Sequence, residues 1–152
     1  MDEHKRALDE VERQRVAMAA RIHLPLWFRC AFCVVWTGLL LAPVLTSHHD
    51  RFGLPAFPYV PAFALLLVVV LMSYRRRSGL NVAVRSRAYP ALRRHAVGTA
   101  AVMGGGALVT WGLTVLDLPL QALPVGLVAG GLATAQVWRV NTGIRDDVLA
   151  GR

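Results

Sequence analysis

The chain has 152 residues, of which 55% are apolar and 17% are charged, and its mean hydropathy is +0.46. A soluble domain usually carries about a quarter charged residues. Here the charged side chains leave four long stretches free: residues 30–49, 52–74, 96–116 and 118–138. Each stretch can cross a bilayer as a helix, which excludes an ordinary soluble domain, a disordered chain and a disulfide-bonded secreted module. The net charge of +8 then indicates membrane orientation, and no nucleic-acid partner is expected.

The N-terminal segment, residues 1–26, is predicted to contain a cytosolic amphipathic helix over residues 2–22. Its apolar positions share one face, which Arg15 interrupts: Leu8, Val11, Met18 and Ile22. Pro25 is expected to end this helix, because the residue before a proline avoids helical backbone angles. The dense charge of both signs before residue 22 is unlike a cleavable signal peptide. We therefore expect the first membrane helix to direct insertion.

Four membrane-spanning helices are predicted to form a single domain over residues 27–138. Between the first two, Gly53 and Pro55 interrupt helical structure. Between the last two, the turn Asp117-Leu118-Pro119 is short, and Asp117 is expected to accept from free N–H groups at the start of helix four. The expected helix bounds are 27–46, 58–74, 96–116 and 119–138, followed by a polar cytosolic tail, 139–152. We predict an all-α polytopic membrane protein, with four transmembrane helices in two antiparallel hairpins preceded by the cytosolic amphipathic helix.

The distribution of basic residues predicts how the helices are oriented. When both termini are cytoplasmic, Arg51 is the only Lys or Arg residue on the outside, which is the arrangement that the positive-inside rule selects. The central loop contributes most to this asymmetry and is expected to contact anionic lipid headgroups, at about 1 kcal/mol per basic residue, through Arg75, Arg76, Arg77, Arg85, Arg87, Arg93 and Arg94.

Small residues at four-residue spacing are candidates for helix packing. Gly126 and Gly130 form a G-x-x-x-G motif in helix four, which Thr134 extends, and Ala101 and Gly105 have the same spacing in helix three. Small side chains let two helix backbones approach closely inside a membrane. Two interpretations remain open, namely packing of helix three on helix four within one chain and formation of a homodimer.

Two further motifs suggest chemistry. Cys30 and Cys33 have the C-x-x-C spacing of redox pairs, but the predicted orientation places them on the reducing side, and the chain has 2 cysteines in total. His48, His49 and Asp50 are adjacent, so they cannot easily point at one metal ion. The favoured interpretation is that Cys30 and Cys33 pack as small apolar residues of the first membrane helix and that residues 48–50 belong to a solvated loop. No cofactor or metal is predicted.

Two short motifs resemble those of a known family. The sequence Leu-Pro-Leu-Trp-Phe (24–28) leads into the first membrane helix, and Tyr-Arg-Arg-Arg-Ser-Gly-Leu (74–80) follows the second. With the charged N-terminal helix, this layout resembles a family of small, uncharacterised four-helix integral membrane proteins of actinobacteria. The resemblance implies four membrane helices in a bacterial plasma membrane and transfers no activity or functional residue.

Three functional interpretations follow. The sequence has no Ser/His/Asp arrangement, no phosphate-binding loop and no acidic residue inside a predicted span, so a non-enzymatic role is favoured without being decided. The first interpretation is an accessory or interaction protein of unknown biochemical activity, with a cytosolic or membrane protein partner. The alternatives are a small transporter or exporter subunit, and a membrane thiol oxidoreductase that uses Cys30 and Cys33.

Overall fold

The computed structural model describes residue 6 and residues 9–14, 16–17, 24–78 and 90–150. Four long helices occur over these residues: α1 (Leu26–Ser47), α2 (Tyr59–Ser78), α3 (Pro90–Val115) and α4 (Pro119–Leu149). A short 3₁₀ helix, Asp50–Phe52, follows α1, and no strand is present in the described part of the chain. Each long helix is apolar and long enough to cross a membrane, which confirms the all-α, multi-pass prediction.

The last two helices are longer than the apolar spans that predicted them. The structure places the start of α3 at Pro90, where a proline is well suited to a first helical turn, and α4 continues through the polar tail to Leu149. The 31 residues of α4 measure about 46 Å at 1.5 Å per residue, compared with about 30 Å for a hydrocarbon core. A bilayer limits the number of apolar residues but does not end a helix, so α4 is well over the length that is needed to cross a hydrocarbon core.

The first helix lies at the centre of the bundle. It contacts α2, α3 and α4, while α3 packs most extensively on α4. Its buried side chains include Phe28, Phe32, Leu40 and Val44. The ring of Phe28 lies 4.4 Å from that of Tyr74 in α2, centroid to centroid. The described part of α2 has no buried residue and packs chiefly on α1, so most of its apolar surface is available to lipid.

A neighbouring helix donates a hydrogen bond to α1 close to a proline. Pro43 lies inside α1 and has no N–H, so the carbonyl four residues earlier, that of Leu39, loses its helical donor. The indole Nε1 of Trp111 in α3 donates to the backbone carbonyl of Leu40 at 3.1 Å. Backbone polar groups at membrane depth need such partners, and this contact fixes α3 to α1 near the proline.

Candidate functional site

A polar cavity lies between α3 and α4 at the end of the bundle where the basic residues are concentrated. Its volume is about 530 Å³, and it is lined by both signs of charge. The α3 side provides Arg94 and His95. The α4 side provides Ala135, Trp138, Arg139, Thr142, Gly143, Asp146 and Asp147. The α4 half of this cavity is not predicted from the sequence, because hydropathy ends the fourth membrane helix at Trp138 and leaves residues 139–152 as a polar tail. The spacing of three to four residues nevertheless places several of these side chains on one helix face.

One wall of this cavity is supported by α1. The guanidinium of Arg29 lies over the ring of Trp138, 4.6 Å from its centroid, which is a cation–π geometry. The Nε atom of Arg29 is buried and has no hydrogen-bond partner. Arg29 lies near the start of α1, as predicted, and its charge is turned toward α4. The positively charged Arg29 of α1 therefore contacts Trp138, the aromatic residue that lines the cavity.

An apolar cavity of about 460 Å³ lies on the same pair of helices, toward the middle of their apolar segments. Ala101 and Gly105, the small residues predicted for α3, line it together with Val128 and Leu132. A Cβ atom added to Gly105 would meet nothing within 4 Å. The close contact between α3 and α4 is instead at Gly106, where an added Cβ would lie 2.7 Å from the Cβ of Ala129.

The G-x-x-x-G motif of α4 faces α1. A Cβ atom added to Gly130 would lie 2.9 Å from the Cβ and 3.2 Å from the Cα of Thr37, and one added to Gly126 would lie 3.0 Å from Cγ of Leu41. The hydroxyl of Thr134 donates to the Gly130 carbonyl of its own helix at 3.0 Å. The motif predicts a close helix contact but does not identify the partner. In this chain its closest contacts are with α1, and a Cβ atom added to Gly126 would also lie 3.5 Å from Cγ2 of Thr110 in α3.

The predicted lipid-binding arginines are described only in part. Arg75, Arg76 and Arg77 are exposed at the end of α2, and the guanidinium of Arg77 lies 5.2 Å from the ring centroid of Trp27. Arg94 lines the polar cavity, and Arg93 lies in the first turns of α3. Arg85 and Arg87 lie outside the described residues, as do Leu8, Met18 and Ile22 of the N-terminal face; Val11 of that face is helical and exposed.

The cysteine pair lies in the first turns of α1. Cys30 is exposed, Cys33 is partly exposed, and both are free thiols. Among the residues that the structure describes, no group of three or more His, Cys, Asp or Glu side chains could hold a metal ion.

At the opposite end of the bundle, charged side chains connect α1 to the turn between α3 and α4. The Nε2 atom of His48 lies 2.7 Å from Oδ1 of Asp117, and an Arg51 nitrogen lies 3.6 Å from Oδ2. The Nδ1 atom of His48 lies 3.3 Å from the Val44 carbonyl. Both neighbours of the ring are hydrogen-bond acceptors, one a carboxylate and the other a backbone carbonyl.

The expectation that Asp117 caps α4 is wrong. Leu118 is the N-cap, with no side-chain hydrogen bond to the helix. Asp117 instead ends α3 with a left-handed φ of 57°, and the backbone N–H of Leu118 donates to the Leu113 carbonyl at 3.0 Å. This is the Schellman ending of a helix, and it directs the carboxylate toward α1. The loop after α1 that contains His48, His49 and Asp50 is also less solvated than expected, since the side chain of His48 is only 9% exposed.

Acid is expected to weaken this contact. The hydrogen bond with His48, and then the charge of Arg51, hold the pKa of the Asp117 carboxyl below its usual value. Because this pKa is lower in the folded chain than in the unfolded chain, the contact stabilises the fold above the ordinary carboxyl pKa and is lost as the pH falls through the lowered value. We expect the unfolding midpoint of the wild type to fall below about pH 4, and that of Asp117→Asn to change less.

Unfolding midpoints measured in detergent from pH 6 to about pH 2 test this pH dependence. Asparagine tolerates the left-handed backbone of Asp117, so the substitution removes the charge and little else. Asp50→Asn is the matched control, because Asp50 is exposed and pairs with the neighbouring His49 at 3.2 Å. Parallel pH profiles for the wild type and Asp117→Asn would contradict the expected role of Asp117.

No protein-family model, curated protein or solved structure matches the chain. Its function is therefore inferred from the geometry of the helices, cavities and charges described above.

Proposed function

We propose that the chain is a multi-pass protein of a bacterial plasma membrane, with both termini in the cytoplasm and with α1–α2 and α3–α4 as two antiparallel hairpins. The end of α2 carries Arg75, Arg76 and Arg77, while Arg94 lies near the start of α3. The turn that joins α3 to α4 is short, and Arg51 is the only Lys or Arg residue outside in this orientation. The positive-inside rule supports it for that reason.

Within this arrangement, the protein acts as a non-enzymatic accessory protein that binds a protein partner at the cytosolic side. The observation that carries the proposal is the exposure of the apolar side chains Val11 and Val16 on the N-terminal helix. The extension of α4 past the apolar span to Leu149 adds further helical surface beyond the membrane. The basic end of α2 adds contacts with anionic lipid headgroups. The outer side has only a short loop and a tight turn, so most of the surface available to a soluble partner is cytosolic.

The N-terminal helix is the segment proposed to bind the partner. Its described residues 9–14 and 16–17 are helical, and the apolar side chains of Val11 and Val16 are 45% and 55% exposed. Isolated short helices are only marginally stable in water, and apolar side chains on a helix are usually covered by another surface. A partner that covers Val11 and its face would stabilise this helix.

Site-specific photo-crosslinking in native membranes tests the partner proposal. A photoreactive residue at Val11 is expected to give one discrete adduct, whereas the same residue at Arg13 is the matched control. Arg13 is two positions further along the helix and therefore faces away from Val11. Deletion of residues 2–21 should release the protein that is crosslinked at Val11. Equal crosslinking from both positions, or a partner that stays bound after the deletion, would count against this function.

The transporter interpretation has less support. Leu40, Val44 and Thr110 are fully buried where α1 and α3 meet, and Gly130 brings α4 directly against Thr37. The described centre of the bundle is thus occupied by side chains in van der Waals contact. Such packing favours a stable membrane anchor over a path for a solute.

A further inference from the structure

A groove runs along one face of the α3–α4 pair, and its two halves differ in chemistry. On α4 the lining residues follow one another at intervals of three or four, which keeps them on one helix face: Val128, Leu132, Ala135, Arg139, Thr142 and Asp146. The apolar cavity reaches Leu132 and the polar cavity begins at Ala135, about 4.5 Å further along the helix axis. The two cavities are therefore successive parts of one groove.

The apolar half has the shape and chemistry of a site for a hydrocarbon chain. Small side chains at Ala101 and Gly105 provide its width, and no atom lies within 4 Å of a Cβ added to Gly105. Val109 and Leu132 on its rims are 53% and 52% exposed. At membrane depth, apolar surface of this kind is covered by acyl chains or by another helix.

The polar half lies at the level of lipid headgroups. About 20 residues of helix cross the hydrocarbon core, so a span that starts at Pro119 reaches the interface near Trp138, a residue type that favours this position. Arg139 follows directly, and Arg94 of α3 faces it across the cavity. Guanidinium groups donate charge-assisted hydrogen bonds to phosphate oxygens, so two of them on one cavity suit a phosphate, and Arg29 adds a third beside Trp138.

An acidic residue lies beyond the arginines. Asp146 is exposed and follows Arg139 by two helical turns, or about 10 Å, with Thr142 between them. Asp147 also lines the cavity but is only 4% exposed, so Asp146 is the carboxylate that a ligand meets. A purely anionic headgroup would face a like charge at Asp146, whereas a headgroup with an outer ammonium would pair with it.

From this order of charges we propose that the α3–α4 groove binds one aminophospholipid, a lipid with a phosphate and a primary ammonium. Its acyl chain lies along Ala101 and Gly105, its phosphate between Arg94 and Arg139, and its ammonium at Thr142 and Asp146. The proposal depends on the membrane placement given above, but it does not depend on the protein partner.

Native mass spectrometry of the purified full-length chain, with phosphatidylethanolamine or phosphatidylglycerol added, measures lipid retention directly. The wild type is expected to retain phosphatidylethanolamine about tenfold better, and Arg139→Gln to retain it about tenfold less than the wild type, because a charge-assisted hydrogen bond is lost. Arg145→Gln is the matched control, since Arg145 is an exposed arginine of α4 outside the groove lining. Asp146→Asn should remove the preference for phosphatidylethanolamine over phosphatidylglycerol.

A second pair of variants tests the apolar half. Gly105→Leu should fill the groove and lower retention of phosphatidylethanolamine, whereas Gly104→Leu should not, because Gly104 is outside the groove lining and also has nothing within 4 Å of an added Cβ.

Equal retention by Arg139→Gln and Arg145→Gln, or equal retention of the two lipids by the wild type, would overturn the proposal. The proposal would also be overturned if Gly105→Leu abolished dimers of the chain but left the retention of phosphatidylethanolamine unchanged. A second copy of the chain, and not a lipid, would then occupy the groove. Crosslinking at Val11 does not involve the groove, so the lipid and partner proposals fail separately.

Discussion

Replacing Gly130 by alanine is expected to lower the free energy of unfolding by about 1–3 kcal/mol, the usual cost of adding atoms to a filled interior. The added Cβ would lie 3.2 Å from the Cα of Thr37 and 2.9 Å from its Cβ. Backbone and Cβ atoms cannot rotate away, so α1 and α4 must separate. Since α1 contacts all three other long helices, the separation weakens the whole bundle.

Gly131→Ala is the control for this effect. Gly131 is the next residue of α4, and an added Cβ there would meet nothing within 4 Å. Alanine has a helix propensity about 1 kcal/mol more favourable than that of glycine, so Gly131→Ala should be neutral or stabilising. Unfolding by SDS titration from mild detergent micelles measures both variants. If the two had the same stability, the contact between Gly130 and Thr37 would not hold the bundle together.

Labelling of single cysteines is expected to give an all-or-none result for the proposed orientation. In a chain with Cys30 and Cys33 replaced by alanine, Ala56→Cys lies in the loop before α2 and Ala150→Cys lies just after α4; both positions are exposed. A membrane-impermeant maleimide should label Ala56→Cys in intact cells, because the positive-inside rule places this loop outside. It should label Ala150→Cys only after the cells are permeabilised.

The two substitutions control for each other, because each replaces an exposed alanine by cysteine outside the helices. Labelling of Ala150→Cys alone in intact cells would show the reverse orientation. Labelling of both would place the two positions on one side of the membrane, which an arrangement of four spans does not allow.

The four long helices could be predicted from the sequence because charged residues are expensive in a bilayer and therefore limit each apolar span. The helix ends could not be predicted in the same way. Past Trp138 the chain becomes polar, yet the backbone keeps its helical hydrogen bonds to Leu149, since exposed polar side chains do not disturb them. Hydropathy therefore predicts the four long apolar helices but underestimates the lengths of α3 and α4.

The candidate sites could also be predicted from the sequence only in part. The spacing of Gly126 and Gly130 indicates a close helix contact, but the identity of the partner depends on how the helices are arranged in space. The nearest side chains belong to α1, namely Leu41 at Gly126 and Thr37 at Gly130. The polar cavity between α3 and α4 was not predicted, because its residues come from the polar ends of two helices that only the fold brings together. Asp117 was assigned to α4 from its position in a turn, whereas its left-handed φ of 57° directs it to His48.

The central position of α1 has a consequence for biogenesis. Trp111, which donates to the Leu40 carbonyl, and Gly130, which packs on Thr37, both follow α1 in the chain and are synthesised later. Until α3 and α4 have been made, α1 lacks these two contacts. The bundle is therefore complete only after residue 130 has been added, and a chain arrested before that residue would lack the packing of α4 on α1.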